Sequence, residues 1–169
     1  MIKENVQAAL NQQLNSELYA SYYYLSMSAY FHATNLTGFA SWMRAQAQEE
    51  LMHAMKIYDF INDREGEVAL TTVAAPKRDW DDSLAAFEDA YRHEKAVTAQ
   101  IYDLVDLSVE ERDHATNTFL QWFVTEQVEE EATASDIVNK LKLVGSDGNG
   151  LFLLDRDLGT RNQESDGDE

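Results

Sequence analysis

Apolar side chains recur along the chain at alternating intervals of three and four residues, the spacing of the buried stripe of an amphipathic helix. This spacing predicts a first helix over about residues 5–33, followed by a turn near Asn35 and Gly38. Glu17 interrupts the stripe near its middle. The positions on this stripe are Leu10, Leu14, Glu17, Ser21, Tyr24, Ser28 and Phe31.

The same spacing predicts a second helix over about residues 37–64 and a third over about 82–107. Ser108 followed by Glu111 is a capping-box signature, which predicts that a fourth helix begins there and runs to about Val144. The second stripe is Phe39, Met43, Gln46, Glu50, His53, Ile57 and Phe60, and the third is Leu84, Phe87, Tyr91, Glu94, Thr98, Ile101 and Val105. The fourth is Thr116, Leu120, Phe123, Gln127, Glu130, Ala134, Ile137, Leu141 and Val144.

Between the second and third helices, residues 66–80 have no helical period and contain the only proline, Pro76. An extended segment of that length spans roughly 50 Å. A helix of about 28 residues is only about 42 Å long. The connection can therefore run the length of the bundle, which predicts an all-α four-helix bundle with one long crossover and parallel second and third helices.

The C-terminal part reads differently from the bundle. Residues 145–150 are rich in glycine and predict a flexible turn, and residues 151–158 predict a short fifth helix that is too apolar to lie alone on a surface. We expect it to pack against the bundle or a neighbouring subunit. The acidic residues 159–169 are expected to be a disordered tail. We expect a single domain over 1–169, with its bundle at about 5–144.

Composition narrows the possible chemistry. The sequence has no cysteine, which excludes disulfides, thiolate catalysis and Cys-type metal sites, so any metal must be bound by oxygen and nitrogen. The N-terminus has no apolar signal region, and no later run approaches membrane-spanning length. We therefore expect a cytoplasmic protein without membrane contact.

The net charge is -18, from 31 acidic and 13 basic residues. Such a surface repels phosphate backbones, which disfavours nucleic-acid binding through a broad basic face. The charge is equally compatible with plain solubility and with attraction of cations.

Polar residues interrupt each of the four stripes at its midpoint. In a bundle of similar-length helices the midpoints share one level whichever way each helix runs, so these side chains are expected to converge. They are Glu17 on the first helix, Glu50 and His53 on the second, Glu94 on the third, and Gln127 and Glu130 on the fourth.

Four desolvated carboxylates at one level repel each other, and one or two dications would remove that cost. Four carboxylates with one imidazole form a hard, oxygen-dominated ligand set, which suits iron or manganese better than structural zinc. Glu50 is the natural bridging ligand because it shares a helix face with His53. The alternative interpretation is a set of neutral or hydrogen-bonded core residues.

Several residues near this level have two interpretations each. Tyr24 lies two turns from Glu17, where it can hydrogen-bond a ligand, supply an electron or simply fill the core. Glu49, Glu126 and Glu129 flank the stripes and form either a further carboxylate cluster or a solvated face.

Together, four segments resemble the haem-free bacterial ferritins over nearly the whole chain. They are Leu14-Asn15-Ser16-Glu17-Leu18-Tyr19, Ala47-Gln48-Glu49-Glu50-Leu51-Met52-His53, His93-Glu94, and Phe119-Leu120-Gln121-Trp122 with Glu126-Gln127-Val128-Glu129-Glu130-Glu131. The resemblance implies a homo-oligomeric cage of twenty-four subunits, each with a ferritin-like bundle and a short fifth helix. It further implies that the cage oxidises Fe(II) with oxygen or peroxide and stores the Fe(III) mineral.

The resemblance also implies roles for single residues. It implies that one iron is bound by Glu17, Glu50 and His53, and the second by Glu50, Glu94 and Glu130, with Gln127 beside the oxidant site. A third iron would be bound by Glu49, Glu126, Glu129 and Glu130. Tyr24 matches the tyrosine that lies near the two-iron site in the family.

Two departures separate the sequence from neighbouring families. A second Glu-x-x-His on the fourth helix, typical of bacterioferritins and rubrerythrin-like proteins, is replaced here by Gln127 and Glu130, or by Glu126 and Glu129. The haem methionine of bacterioferritins directly follows the bridging glutamate, but Leu51 occupies that place and Met52 comes one residue too late. We therefore expect no haem.

Two other functions remain compatible with the pattern. The first is a di-iron oxygenase or peroxidase of the same superfamily without storage, which usually has two histidine ligands. The second is a non-catalytic metal-binding or DNA-protecting shell, which the strong negative charge disfavours.

Overall fold

Five helices make up the fold in the computed structural model, which describes residues 2–160. Their bounds are α1 Glu4–Ala33, α2 Thr37–Asp63, α3 Ser83–Glu110, α4 His114–Val144 and α5 Gly148–Leu158. The turn before α2 forms at Asn35, whose φ is 62°, whereas Gly38, the other expected turn residue, lies inside α2. No helix in the described part of the chain is both long and apolar enough to cross a membrane.

The long connection gives the bundle its expected topology. At one end of the bundle, Arg64 after α2 donates from Nη1 to Oδ1 of Asp113, the residue before α4, over 3.0 Å. At the other end, Phe39 near the start of α2 packs edge-on against Phe87 near the start of α3, with ring centroids 5.2 Å apart. The predicted parallel arrangement of α2 and α3 is therefore confirmed.

The connection runs along α1, where side-chain amides bind it. Asn11 donates to the carbonyl of Glu67 over 2.9 Å and accepts from the amide of Ala69 over 2.7 Å. Asn15 repeats the pattern one step further, donating to the carbonyl of Ala69 over 2.9 Å and accepting from the amide of Thr71 over 2.8 Å. The extended backbone thus finds hydrogen-bond partners on a helix rather than in a sheet.

Two apolar clusters fill the core on either side of a polar level. One contains Tyr24, Met27, Phe31, Phe39, Met43, Phe87 and Ile137 among others. The other contains Val6, Leu10, Leu14, Ile57, Ile61, Ile101, Leu120 and Phe123 among others. The polar residues at the stripe midpoints lie between them, as their sequence positions require.

The predicted start of α4 is wrong. Ser108 is buried inside α3, where its hydroxyl donates to the carbonyl of Val105 over 2.6 Å. The cap of α4 is Asp113, whose Oδ1 accepts from the amide of Thr116 over 3.1 Å. Because Arg64 also holds the Asp113 carboxylate, a tertiary contact reinforces this cap and α3 continues to Glu110.

The fifth helix begins at Gly148, three residues before its predicted start, with Asp147 as its cap. Its leucines Leu151, Leu154 and Leu158 pack against the apolar core cluster, which confirms the expected packing on the bundle. The expected tail keeps only its first two residues within the described part, and residues 161–169 lie outside it.

The fifth helix is also joined to the start of α2. Buried Asp155 accepts a hydrogen bond at Oδ1 from the amide of Phe39 over 2.8 Å, which supplies the cap that α2 lacks. A Cβ at position 38 would lie 1.7 Å from the carbonyl oxygen of Asp155. Glycine at that position is therefore required for the close approach of α5.

Candidate metal centre

Three of the predicted ligands meet at the middle of the bundle. Glu50 and His53 lie one turn apart on α2 and face Glu17 on α1. One ligand atom from each lies within 4.8 Å of the other two. Their side chains are almost completely buried, with exposed fractions of 1% for Glu17, 2% for Glu50 and 3% for His53.

Glu17 is poorly satisfied by the protein. Its Oε1 accepts a 2.8 Å hydrogen bond from Nε2 of Gln13, whereas Oε2 is buried and has no hydrogen-bond partner among the described residues. Burial raises the pKa of Glu17 well above its ordinary value, and the Glu50 carboxyl raises this pKa further. A buried oxygen without a donor costs about 1–3 kcal/mol, a cost that a cation at this point would remove.

Glu50 and His53 contact each other and point to neighbouring carboxylates. His53 Nδ1 lies 3.2 Å from Glu50 Oε2, and His53 Nε2 lies 3.9 Å from Glu126 Oε1. Burial raises the pKa of Glu50, as does the nearby Glu94 carboxyl. The rings of Trp122 and Phe123 pack edge-on against the imidazole and fix its plane.

Glu94 brings α3 into the same level but is better satisfied. The hydroxyl of Tyr24 donates a hydrogen bond to its Oε1, and Nε2 of Gln127 lies 3.2 Å from its Oε2. Burial raises the pKa of Glu94, whereas these two hydrogen bonds lower it. Tyr24 has no exposed surface, and burial together with Glu94 raises its pKa well above the ordinary value.

Glu130 completes the level from α4. Its Oε2 accepts a 2.8 Å hydrogen bond from Nε2 of Gln46, which is fully buried on α2. Glu94 and Glu130 are not part of the group formed by Glu17, Glu50 and His53. Both nevertheless lie close enough to Glu50 to raise its pKa through their charges.

The outer carboxylates are less closely arranged. Glu126 and Glu49 are half-buried and Glu129 is exposed. Glu126 approaches His53, and the charges of Glu94, Glu130 and Glu49 add to burial in raising the pKa of Glu50. The third iron site stays a prediction. Met52, at the position discussed for haem, is 58% exposed, and the expectation of no haem also stays a prediction.

The sequence pattern indicates no role for three residues that hydrogen-bond the ligand residues, namely Gln13, Gln46 and Thr98. Gln13 lies beside the apolar stripe, and its spacing of four residues before Glu17 was the one available signal. Gln46 and Thr98 lie on the stripes, but their spacing alone indicates no contact with a ligand. Thr98 donates from Oγ1 to the carbonyl of Glu94 over 3.0 Å.

His93 was also missed as a neighbour of the centre. Its ring lies among three tyrosine rings of α1, with centroid distances of 6.3 Å to Tyr19, 5.3 Å to Tyr23 and 6.1 Å to Tyr24. Burial lowers the pKa of His93 to about 4, so the imidazole is neutral at physiological pH. It adds no positive charge beside Glu94.

Carboxylates from all four helices thus converge with one imidazole in a buried layer, an arrangement that binds hard divalent cations. The fold and these side chains define a four-helix-bundle protein with a carboxylate-rich metal centre. A family model described as Ferritin, "Ferritin-like domain", matches residues 7–144. The chain belongs to the ferritin family.

Individual relatives agree with this assignment. The chain is 41% identical over 161 residues to a protein named bacterial non-heme ferritin from Staphylococcus aureus, covering 95% of this chain and 97% of the relative. A protein of the same name from Staphylococcus epidermidis is 40% identical with the same coverage.

Solved structures give the same result for the fold. An open-pore ferritin of the hyperthermophilic archaeon Archaeoglobus fulgidus superposes with a TM-score of 0.95 at 53% identity, covering 95% of this chain and 99% of that one. A closed form of that ferritin made by site-directed mutagenesis gives a TM-score of 0.94 at 53% identity, covering 95% and 98%. The predicted ferritin-like fold and family are confirmed.

Proposed function

We propose that this protein stores iron, oxidising Fe(II) at the midplane of each subunit and holding the Fe(III) product inside a cage. The observation that carries the proposal is the convergence of Glu17, Glu50 and His53 within 4.8 Å, with Glu94 and Glu130 buried at the same level. Fe(II) enters as substrate, and oxygen or peroxide takes the electrons.

Each residue has a role in this proposal. Glu17 and His53 bind one Fe(II), Glu94 and Glu130 bind the second, and Glu50 bridges the two. Gln127, which donates to Glu94, orients that ligand beside the oxidant. The protein positions the ions and supplies charge, while the iron supplies the redox chemistry.

Four finer points belong to the same proposal. Glu49, Glu126, Glu129 and Glu130 form a third iron site, for which the 3.9 Å approach of Glu126 to His53 offers a link to the inner pair. Twenty-four copies assemble into the cage, in the cytoplasm. The chain folds as one domain.

The first test removes two ligands. The double variant Glu50→Ala with His53→Ala is expected to lose rapid Fe(II) oxidation, followed by absorbance after Fe(II) is mixed with oxygen or peroxide. The matched control is Gln48→Ala with Met52→Ala, which changes two exposed side chains of the same helix. Unchanged oxidation in the Glu50 and His53 variant would show that the site is wrongly assigned.

A second test separates storage from other uses of the site. Particle size and electron density of the assembled protein are measured with and without added Fe(II). A hollow shell that gains a dense core supports storage. A dimer that holds two irons tightly and oxidises an organic substrate would instead support a di-iron oxygenase or peroxidase.

A further inference from the structure

A continuous row of redox-active aromatic side chains leads away from the metal centre. Tyr24, which hydrogen-bonds Glu94, has its ring 6.2 Å from that of Tyr23. Tyr23 lies 6.2 Å from Trp80, and Trp80 lies 5.2 Å from Tyr30. Tyr24, Tyr23 and Trp80 are buried and Tyr30 is half-buried, so the row passes from the interior toward solvent.

The outer end of the row has its own proton acceptor. Nε1 of Trp80 donates to Oδ2 of Asp89 over 2.7 Å. Lys77 and Arg92 also hydrogen-bond this carboxylate, and despite burial they hold its pKa below the ordinary value, so it is ionised at neutral pH. The carboxylate therefore faces the indole N–H as a negatively charged acceptor.

The charge above the indole favours loss of that proton. The ammonium of Lys77 lies 5.3 Å from the centroid of the Trp80 ring, where it disfavours a second positive charge on the ring. An oxidised Trp80 is therefore more stable as a neutral radical, after its indole proton has left by way of Asp89 to solvent, than as a radical cation.

We propose that Tyr24, Tyr23 and Trp80 form an electron relay that supplies the metal centre with an electron when only one Fe(II) is bound. This rests on the proposed function, because the oxidant is the peroxide that such a centre meets. Trp80 is the residue left oxidised, and Tyr30 connects it to reductants in solution. When two Fe(II) are bound, no electron is transferred along the relay, because the two ions supply both electrons that the peroxide takes.

The electrons and protons balance as follows. Hydrogen peroxide takes two electrons and two protons and yields two waters as its O–O bond breaks. Fe(II) gives one electron and becomes Fe(III), and Trp80 gives the other through Tyr23 and Tyr24. The indole proton passes by way of Asp89 to solvent, and two protons reach the oxygen atoms from solvent. A one-electron reductant such as ascorbate then restores Trp80, which recovers its proton from solvent by way of Asp89.

The test uses the assembled protein with deuterium in the indole rings of its tryptophans. One Fe(II) per subunit is added without oxygen, hydrogen peroxide is mixed in, and samples are freeze-quenched for electron paramagnetic resonance. We expect a transient organic radical whose lines narrow in the labelled protein, and we expect Trp80→Phe to remove this label-sensitive signal. The matched control is Trp42→Phe, a buried tryptophan outside the row, in which the signal remains.

A second variant keeps the test decisive if Trp80→Phe folds poorly. Asp89→Asn retains a polar side chain but removes the charged acceptor, and it is expected to reduce the yield of the tryptophan radical. Tyr24→Phe is expected to abolish that radical by interrupting the row at its inner end.

Each contrary result has its own meaning. A radical insensitive to the indole label, or a label-sensitive radical that persists in Trp80→Phe, overturns the relay while leaving Fe(II) oxidation intact. A wild-type protein that oxidises Fe(II) no faster than the Glu50 and His53 double variant overturns the proposed function itself.

Discussion

The two halves of the metal centre satisfy their buried groups in different ways. Glu17, Glu50 and His53 bring ligand atoms within 4.8 Å of each other, and an oxygen of Glu17 has no hydrogen-bond partner among the described residues. Glu94 and Glu130, by contrast, accept hydrogen bonds from neutral side chains, Glu94 from Tyr24 and Gln127 and Glu130 from Gln46.

This difference shows that the two halves of the centre depend on a bound cation to different extents. In the Glu17 half, the buried carboxyl groups destabilise the metal-free protein. A cation that binds there removes this cost without displacing a hydrogen bond from the unpaired oxygen of Glu17. In the Glu94 half a cation has to compete with hydrogen bonds already made. We therefore expect the first dication to bind on the Glu17 side and the second, more weakly, on the Glu94 side.

The largest expected effect is on this order of binding. Glu17→Gln is expected to weaken the first-bound dication by about 100-fold or more, because even the loss of an outer hydrogen-bond partner of a metal ligand costs about 10–100-fold. Glu130→Gln is the matched change in the other half and is expected to affect mainly the second ion. Calorimetric titration with Zn(II), which is not oxidised, measures both. A larger loss of first-ion affinity in Glu130→Gln would reverse the comparison.

A smaller effect is expected from Tyr24→Phe in the metal-free protein. The change leaves the Glu94 carboxyl without one donor inside the core, which costs about 1.5–3 kcal/mol of unfolding free energy. Urea unfolding in the presence of a chelator measures this. The control is Tyr22→Phe on the same helix, where the ring is 49% exposed and little change is expected. Equal stability of the two variants would show that Glu94 does not depend on the tyrosine.

The smallest effect is on the pH dependence of stability without metal. The pKa values of Glu17, Glu50 and Glu94 are raised in the folded protein, so it binds these protons more tightly than the unfolded chain does. The protonated glutamates contribute their full stabilisation at pH values below 4.5, which is their pKa in the unfolded chain. This stabilisation is lost as the pH rises through their pKa values in the folded protein. The melting temperature in chelator should therefore fall from pH 4.5 toward neutrality.

Single substitutions sharpen this last comparison. Glu17→Gln should flatten the pH dependence more than Glu94→Gln, because Tyr24 and Gln127 already offset part of the shift at Glu94. Added Zn(II) should reverse the slope, since a dication favours ionised carboxyls. A melting temperature that rises toward neutral pH in chelator would contradict the raised pKa values of these glutamates.

Much of this centre was predictable because a helical stripe shows which positions face the core. A charged side chain on that stripe must therefore be buried in the core. What the stripe cannot show is how ligands on different helices are hydrogen-bonded. Tyr24 and Glu94 are 70 positions apart, and their contact depends on side-chain orientation across the bundle. Gln13 lies off the stripe, so the pattern gave it no role.

The prediction of the boundary between α3 and α4 was wrong for a related reason. The Ser108 and Glu111 pair is a sound local signal, yet Asp113 caps α4 because Arg64 from the far end of α2 holds its carboxylate. Local preference decides a helix end only where no tertiary contact outweighs it.

The amides that bind the long connection to α1 rest on a near coincidence of two repeats. Successive amide positions on the helix, such as Asn11 and Asn15, are four residues apart, which is about 6 Å. Alternate residues of an extended chain are about 6.7 Å apart. The mismatch grows with each successive amide residue. Amides on a helix can therefore bind an extended segment over only a few residues, as they do here up to Thr71. An insertion beyond Thr71 leaves this register intact, whereas one between Glu67 and Thr71 destroys it.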